Sequence, residues 1–480
     1  MLFNSFEFLL FLPLVFIVYW FLAKTRLVFQ NTFTLGASYF FYAWWDWRFL
    51  FLIIISTVVD YYVGLGLGST QKTKRRQLLL WLSVFSNLSI LGFFKYFNFF
   101  SASLVNAMNF VGVTLSPLTL NIILPIGISF YTFQTLSYSI DVYFKRINPS
   151  YNFISFASFV SFFPQLLAGP IERASNLLPQ FEVRRQFKYA TAVDGCTQIL
   201  WGFFKKVVIA DHCAHYVSQF FDTKIHYSGS TYIMGASLFC IQVYCDFSGY
   251  SDIAIGTGKL FGFRFMPNFK TPLFSKGIAE FWTRWHISLS SWLNDYLFTP
   301  LAIELRQLKK EGVYLAVFVT FLLSGLWHGA GWNYVVFGVI HGLYYLPVVY
   351  SKKRFKSISS LKKININGSI KDFPKMLLTF VMVSFSLIFV RAENLSKALD
   401  YIAQIFTNEL LHMPQAVPLS FILVLIGFFS IEWFGKNDEY TIQFINRNYP
   451  KYLKWVCFLA IGLSIILFPG EQQEFIYFQF

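Results

Sequence analysis

Charge is scarce in this sequence, and acid is scarcer than base. Of 480 residues only 13% are Asp, Glu, Lys or Arg, with 24 acidic side chains against 39 basic ones. A soluble domain carries about 25% charged residues, and it cannot expose the apolar surface of a chain that is 56% hydrophobic and 21% aromatic. An ordinary soluble enzyme is excluded, and a polytopic membrane protein remains. The net charge of +15 does not point to nucleic acid, because the bases gather in short stretches between apolar runs. These are Lys72, Lys74, Arg75 and Arg76; Arg184, Arg185 and Lys188; Arg306, Lys309 and Lys310; and Lys352, Lys353, Arg354 and Lys356. Positive charge so placed marks cytoplasmic loops. Cysteine is sparse too. Cys196, Cys213, Cys240, Cys245 and Cys457 are odd in number and show no CxxC or Cys/His spacing, which argues against a disulfide framework and a metal site. No internal repeat is evident, which counts against a transporter built from two related halves. The opening MLFNSFEFLLFLPLVFIVYWFLAKTR lacks a basic n-region and a small-residue cleavage site, so it reads as a retained span and not a signal peptide.

What the sequence has instead is apolar runs. A span needs about 20 largely apolar residues, and roughly ten to eleven candidates meet that need, from 3–22 to 452–469. All of residues 1–480 read as one integral membrane domain of all-α class. The stretches 152–168 and 313–326 are too short and read as half-spans or re-entrant segments, which are tolerated where they pack in protein or line a cavity. Residues 351–375, SKKRFKSISSLKKININGSIKDFPK, form the longest basic connection and read as a cytoplasmic loop facing anionic lipid.

Polar residues interrupt the runs at four places. Between Val313 and Tyr345 an apolar run is broken by Ser324, Gly325, Trp327, His328, Gly329, Ala330 and Gly331. An imidazole where hydrocarbon is expected costs a few kcal/mol and is a functional candidate by default. His328 is therefore the first candidate for chemistry, with Ser324 one helical turn away and able to orient the ring; the plainer alternative is a polar residue bonding a neighbouring helix. Phe281 to Leu297, FWTRWHISLSSWLNDYL, carries Arg284, His286, Asn294 and Asp295. Trp282, His286, Leu289 and Leu293 share one face of a helix, so His286 points with the apolar side; an interfacial amphipathic helix is the alternative. Cys245 to Gly262, CDFSGYSDIAIGTGKLFG, sets Asp246, Ser248, Tyr250 and Asp252 among glycines and matches neither nucleotide-loop pattern. Phe163 to Pro179 holds Pro164, Gln165, Gly169, Pro170, Glu172 and Arg173, breakers that predict a bent segment facing a cavity.

FPQLLAGPIER, CDFSGYSDIAIG, FWTRWHISLSSWL and SGLWHGAGWN, in that order, together resemble the membrane-bound O-acyltransferases, and within them the bacterial alginate O-acetylation branch. The resemblance implies a funnel-shaped helical enzyme in the bacterial cytoplasmic (inner) membrane, with no tightly bound cofactor, where acetyl-coenzyme A meets an acceptor. It makes His286 and His328, 42 residues apart, the catalytic pair. Ser324, Asp246, Arg284 and Asn333 are possible supporting groups, and His341 is a structural residue. The resemblance extends to the terminal FIYFQF, where Tyr477 is the residue that would relay the acyl group to a periplasmic or surface O-acetyltransferase acting on an exported polysaccharide. FIYFQF also reads as an interfacial aromatic anchor. Transfer of D-alanine or another acyl group to a cell-wall polymer stays open, and so does a transporter or polysaccharide-export component.

Overall fold

The computed structural model describes residues 1–167, 169–222, 225–351, 369–407, 410, 412–415 and 417–476. Residues 352–368 of the basic connection, and Tyr477 with residues 478–480, lie outside the described residues. Among the described residues the regular elements are all helices. Five helical stretches are long and apolar enough to cross a membrane: Leu27–Ser69, Thr73–Phe110, Ile287–His328, Trp332–Tyr350 and Ile370–Arg391. Phe6–Leu22, Phe153–Leu166 and Leu419–Phe434 are shorter apolar helices. Leu9, Leu10, Leu14, Ile17 and Phe21 of the first helix are exposed, while many of the chain's hydroxyl, amide and charged side chains are buried. An apolar outside over a polar inside is what a hydrocarbon solvent selects.

The chain divides into two compact units, Met1–Cys196 with Ala254–Met266, and Thr197–Ile253 with Pro267–Phe480. In the first, Leu27–Asp46 and Leu50–Ser69 are 20-residue helices, each about 30 Å long and so matched to a bilayer core. A buried carboxylate ties three helices together here. Asp60 accepts from Ser83 Oγ, from Ser139 Oγ at 2.8 Å and from Asn87 Nδ2 at 2.7 Å, and the Asn87 carbonyl accepts from Ser56 and Thr135. Every polar atom named has a partner, which is how polar side chains act as glue between helices in lipid.

Two of the arginines expected merely to mark loops do more than that. Arg76 is buried and donates to the carbonyls of Leu67, Thr70, Val142 and Tyr143, the orphan acceptors at two helix ends. Arg185 is buried, bonds Gln30 and Asn31 and lies against the rings of Tyr19, Phe181 and Phe263. A guanidinium with five donors and an aromatic cage can be held inside where an isolated charge could not.

The bent segment expected around Pro164 is present. Helix Phe153–Ser161 ends at Phe162, helix Phe163–Leu166 follows, and residues from Ser155 to Leu167 are buried. Beyond the bend Glu172 accepts from the Met266 amide and from Asn176 Nδ2 at 2.6 Å. Burial raises its carboxyl to about 7 against those bonds and Arg173. The folded state therefore holds the Glu172 proton more tightly than the unfolded chain. Its contribution is intact below about pH 4.5 and is lost as pH rises through 7, a change on the order of 3 kcal/mol. The melting temperature of the native chain in detergent is expected to fall between pH 5 and 8, and that of Glu172→Gln to fall less; equal pH profiles would remove Glu172 as the cause.

The helix Tyr189–Phe203, whose residues from Thr197 onward belong to the second unit, continues through a π-helical stretch, Phe204–Ala210, into Asp211–Phe220. It crosses the long helix Gly229–Leu260 at Gly202 and Gly249. A side chain on either glycine would meet the carbonyl of the other, at 2.6 and 2.8 Å. The glycines of CDFSGYSDIAIGTGKLFG up to Gly258 thus belong to a helix and serve close packing, not a loop.

The expected half-span at 313–326 is instead part of a full helix, Lys309–His328, 20 residues long. The hydropathy pattern misses its first turn because Lys309, Lys310 and Glu311 fill it. It forms a hairpin with Trp332–Tyr350. Ala316, Val317, Phe298 and Val349 form the apolar centre at one end of this hairpin.

Candidate active site

His328 is the last residue of its helix, and glycines decide where it sits. A Cβ on Gly325 would lie 2.2 Å from the Tyr334 carbonyl, and one on Gly338 would lie 2.5 Å from the Phe321 carbonyl. Gly338 and Gly342 are spaced as a GxxxG pair, the pattern that lets helix backbones approach in a membrane. Gly329 leaves room for the Tyr334 ring, whose atoms would stand 2.2 Å from its Cβ. The hairpin is therefore tight at its turn, and His328 is buried there with its ring edge-on to Phe337 at 5.7 Å.

His286 is placed by a break and not by the single helix its periodicity predicts. Helix Ile278–Arg284 stops, His286 adopts a left-handed backbone with φ of 43°, and helix Ile287–Leu293 begins. Residues 268–270 impose the break. Lys270 N donates to the Arg284 carbonyl at 3.0 Å, and Ile287 N to the Asn268 carbonyl at 2.8 Å. The Asn268 side chain accepts from Ser288 Oγ at 2.9 Å and donates to Ser251 Oγ at 3.1 Å. The burial of His286 against apolar neighbours holds, since it is fully enclosed and its ring stands edge-on to Phe247 at 4.6 Å.

His286 Nδ1 caps the new helix by accepting from the Leu289 amide at 3.4 Å. In the tautomer that keeps this cap, the ring proton is at Nε2. The Trp327 ring packs on both histidines, 5.6 Å from His286 at 72° and 5.1 Å from His328 at 83°. The two imidazoles are within electrostatic reach of each other. The arrangement is a buried, indole-walled site with one imidazole at the start of a helix and a second at the end of another.

A family model described as membrane-bound O-acyltransferase matches residues 37–388. The chain belongs to the membrane-bound O-acyltransferase family. It is 42% identical over 460 residues, 94% of this chain and 84% of the relative, to a probable alginate O-acetylase AlgI of Pseudomonas aeruginosa. It is 37% identical over the full length of both chains to the protein of the same description from Pseudomonas putida. A peptidoglycan O-acetyltransferase of Helicobacter pylori is 32% identical, covering all of this chain and 98% of the relative. The protein is a multi-pass membrane O-acyltransferase.

The other candidates of this acyltransferase lie in three settings. Ser324 is buried, and its Oγ makes no hydrogen bond among the described residues. Arg284 pairs with Glu280 and donates to the Thr271 carbonyl; Asn333 donates to the carbonyls of Phe389 and Ala392 at 3.0 and 2.9 Å, closing the end of helix Phe373–Arg391. Asp246 pairs with Lys206 at 2.8 Å. His341 accepts at Nδ1 from Trp282 Nε1 at 3.1 Å and bonds Ser386 Oγ at 3.0 Å. With both nitrogens engaged and the Ser386 hydroxyl donated to Val383, it holds three helices together. Asn268 and Lys206 escaped the reading of the sequence, and Trp327 was read only as part of the break around His328. For Lys206 a signal existed, because Lys205 and Lys206 interrupt the apolar run FFKKVVIA just as His328 interrupts its own.

Proposed function

We propose that the protein moves an acetyl group from cytoplasmic acetyl-coenzyme A across the bacterial inner membrane for O-acetylation of an exported or cell-surface polysaccharide. The observation that carries the chemistry is the pair of buried imidazoles that both pack on Trp327. The polysaccharide acceptor rests on the relatives named for alginate and peptidoglycan O-acetylation. An acceptor hydroxyl gives its proton to neutral His328 as its oxygen attacks the thioester carbonyl carbon. The C–O bond forms, the C–S bond breaks, and the imidazolium returns the proton to the departing thiolate. His286 Nε2–H donates to the carbonyl oxygen while that oxygen gains charge. Tyr477 is the acceptor hydroxyl in this reading: it carries the acetyl ester to an extracytoplasmic O-acetyltransferase.

The test is transfer of radiolabel from acetyl-coenzyme A to purified protein in nanodiscs. Native protein should be labelled, and both His328→Ala and Tyr477→Phe should not. Label that survives Tyr477→Phe but needs His328 moves the acceptor elsewhere. Absence of both label and thioester cleavage, with a suitable partner supplied, removes acetyl-coenzyme A as donor.

A further inference from the structure

We infer that Lys206, Asp211 and Asp246 form a buried ionic dock for the C-terminal strand, and that this dock holds Phe475 against Phe247, the ring that packs on His286. The bearing of the dock on the reaction rests on the function proposed above; the dock itself does not.

After helix Lys451–Leu467 the chain runs from Gly470 to Phe475 outside any helix or sheet, as a lone strand of irregular backbone, yet Phe475 and Ile476 are buried. Irregular backbone inside a membrane protein must find partners for its amides and carbonyls. Here one ion cluster supplies them. Lys206 Nζ is almost fully enclosed and has three protons to place: it meets Asp211 at 2.8 Å, Asp246 at 2.8 Å and the Gln473 carbonyl at 3.0 Å. Asp246 uses its other oxygen to accept the Ile476 amide at 2.7 Å. The Gly470 amide donates to the Val207 carbonyl at 3.0 Å. A lysine with two carboxylates is more than its own charge requires; the same groups match the backbone polarity of a strand that passes over them.

The strand also fits sterically. A Cβ on Gly470 would lie 2.7 Å from the Cβ and backbone carbon of Asp211, so glycine is what lets the chain come this close to the cluster. Phe475 then packs on Tyr250 at 4.4 Å and on Phe247 at 5.7 Å. Phe247 is the ring that stands edge-on to His286. A continuous line of side chains therefore runs from the dock to the catalytic pair, and Asp246, Phe247 and Tyr250 are on one helix. Lys206 and Asp246 are positioning residues in this account. They act on the reaction through the strand they hold.

The experiment uses the full chain with Cys196→Ser and Cys457→Ser, which removes the thiols that are not buried, and a nitroxide on Glu474→Cys, an exposed position. Two variants release the strand by independent routes. Asp246→Ala removes the acceptor of the Ile476 amide and still leaves Lys206 its Asp211 partner, so no buried charge is stranded. Gly470→Leu leaves every ion in place and makes the close approach impossible. Both should convert an immobilised nitroxide spectrum to a mobile one and lower kcat for acetyl transfer at least tenfold, with the KM for acetyl-coenzyme A within twofold of the parent. A spectrum that stays immobilised in both variants overturns the dock. A mobile spectrum with unchanged kcat overturns its positioning role. If the parent transfers no acetyl group and the nitroxide is still released, the dock stands and the acetyl-transfer reading falls.

Discussion

Replacing His328 by glutamine is expected to lower acetyl transfer about 10²–10⁴-fold, the loss that follows removal of a general base, while the protein still folds and inserts. Glutamine fills much of the imidazole volume between Trp327 and Phe337 and can hydrogen-bond, but it cannot take a proton at neutral pH. The comparison that gives this result meaning is His286→Asn. Asparagine tolerates the left-handed backbone at φ of 43° and is a good helix cap, so it keeps the break and loses the Nε2–H donor. Its expected loss is smaller, about 10²-fold, at the lower end for one oxyanion donor. Rates of label transfer at matched amounts of purified protein decide the order. If His328→Gln works at the native rate, the assignment of the base is wrong.

The second large effect is expected at Gly325. Leucine there begins with a Cβ 2.2 Å from the Tyr334 carbonyl and 3.0 Å from the Gly338 amide, so the hairpin helices must separate before any further atom is placed. Overpacking of a core costs about 1–3 kcal/mol when neighbours can yield, and backbone yields less than side chains do. Gly325→Leu should therefore remove most of the folded protein recovered from membranes, and what remains should be inactive because His328 is one turn further along the same helix. Gly427→Leu is the control, since a Cβ at Gly427 meets nothing within 4 Å. Size-exclusion recovery after heating separates the two, and similar behaviour of both variants would mean that the hairpin is not as close as its glycines indicate.

These two residues also mark how far the sequence could be read. His328 was visible because an imidazole in an apolar run is costly, and the glycines around it announced close packing. His286 was visible as a residue but not as a conformation. Its neighbours keep helical spacing, and the break comes from Asn268 and Lys270, whose bonds to Ile287 and Arg284 no local pattern reveals. The bend after Phe153 was legible because Pro164 cannot continue a helix without a break before it. The helix Lys309–His328 was read too short for the opposite reason, since charged residues open it. Least legible was the role of Asp246. Its partners are Lys206, 40 residues before it, and the Ile476 amide, 230 residues after it, and a contact at that separation leaves no periodicity.

The π-helical stretch Phe204–Ala210 has a bearing on how this region can change over evolutionary time. A π turn is an α turn that has admitted one residue more. It holds two consecutive lysines that serve different carboxylates: Lys205 reaches Asp252 and Ser248, and Lys206 reaches Asp211 and Asp246. Loss of one residue here would close the wide turn to an ordinary α turn and remove the extra position on which the placement of the two lysines depends. Substitutions in this segment can be sampled one at a time, whereas a change of length breaks both ion clusters at once, so drift can alter the segment's chemistry far more readily than its length.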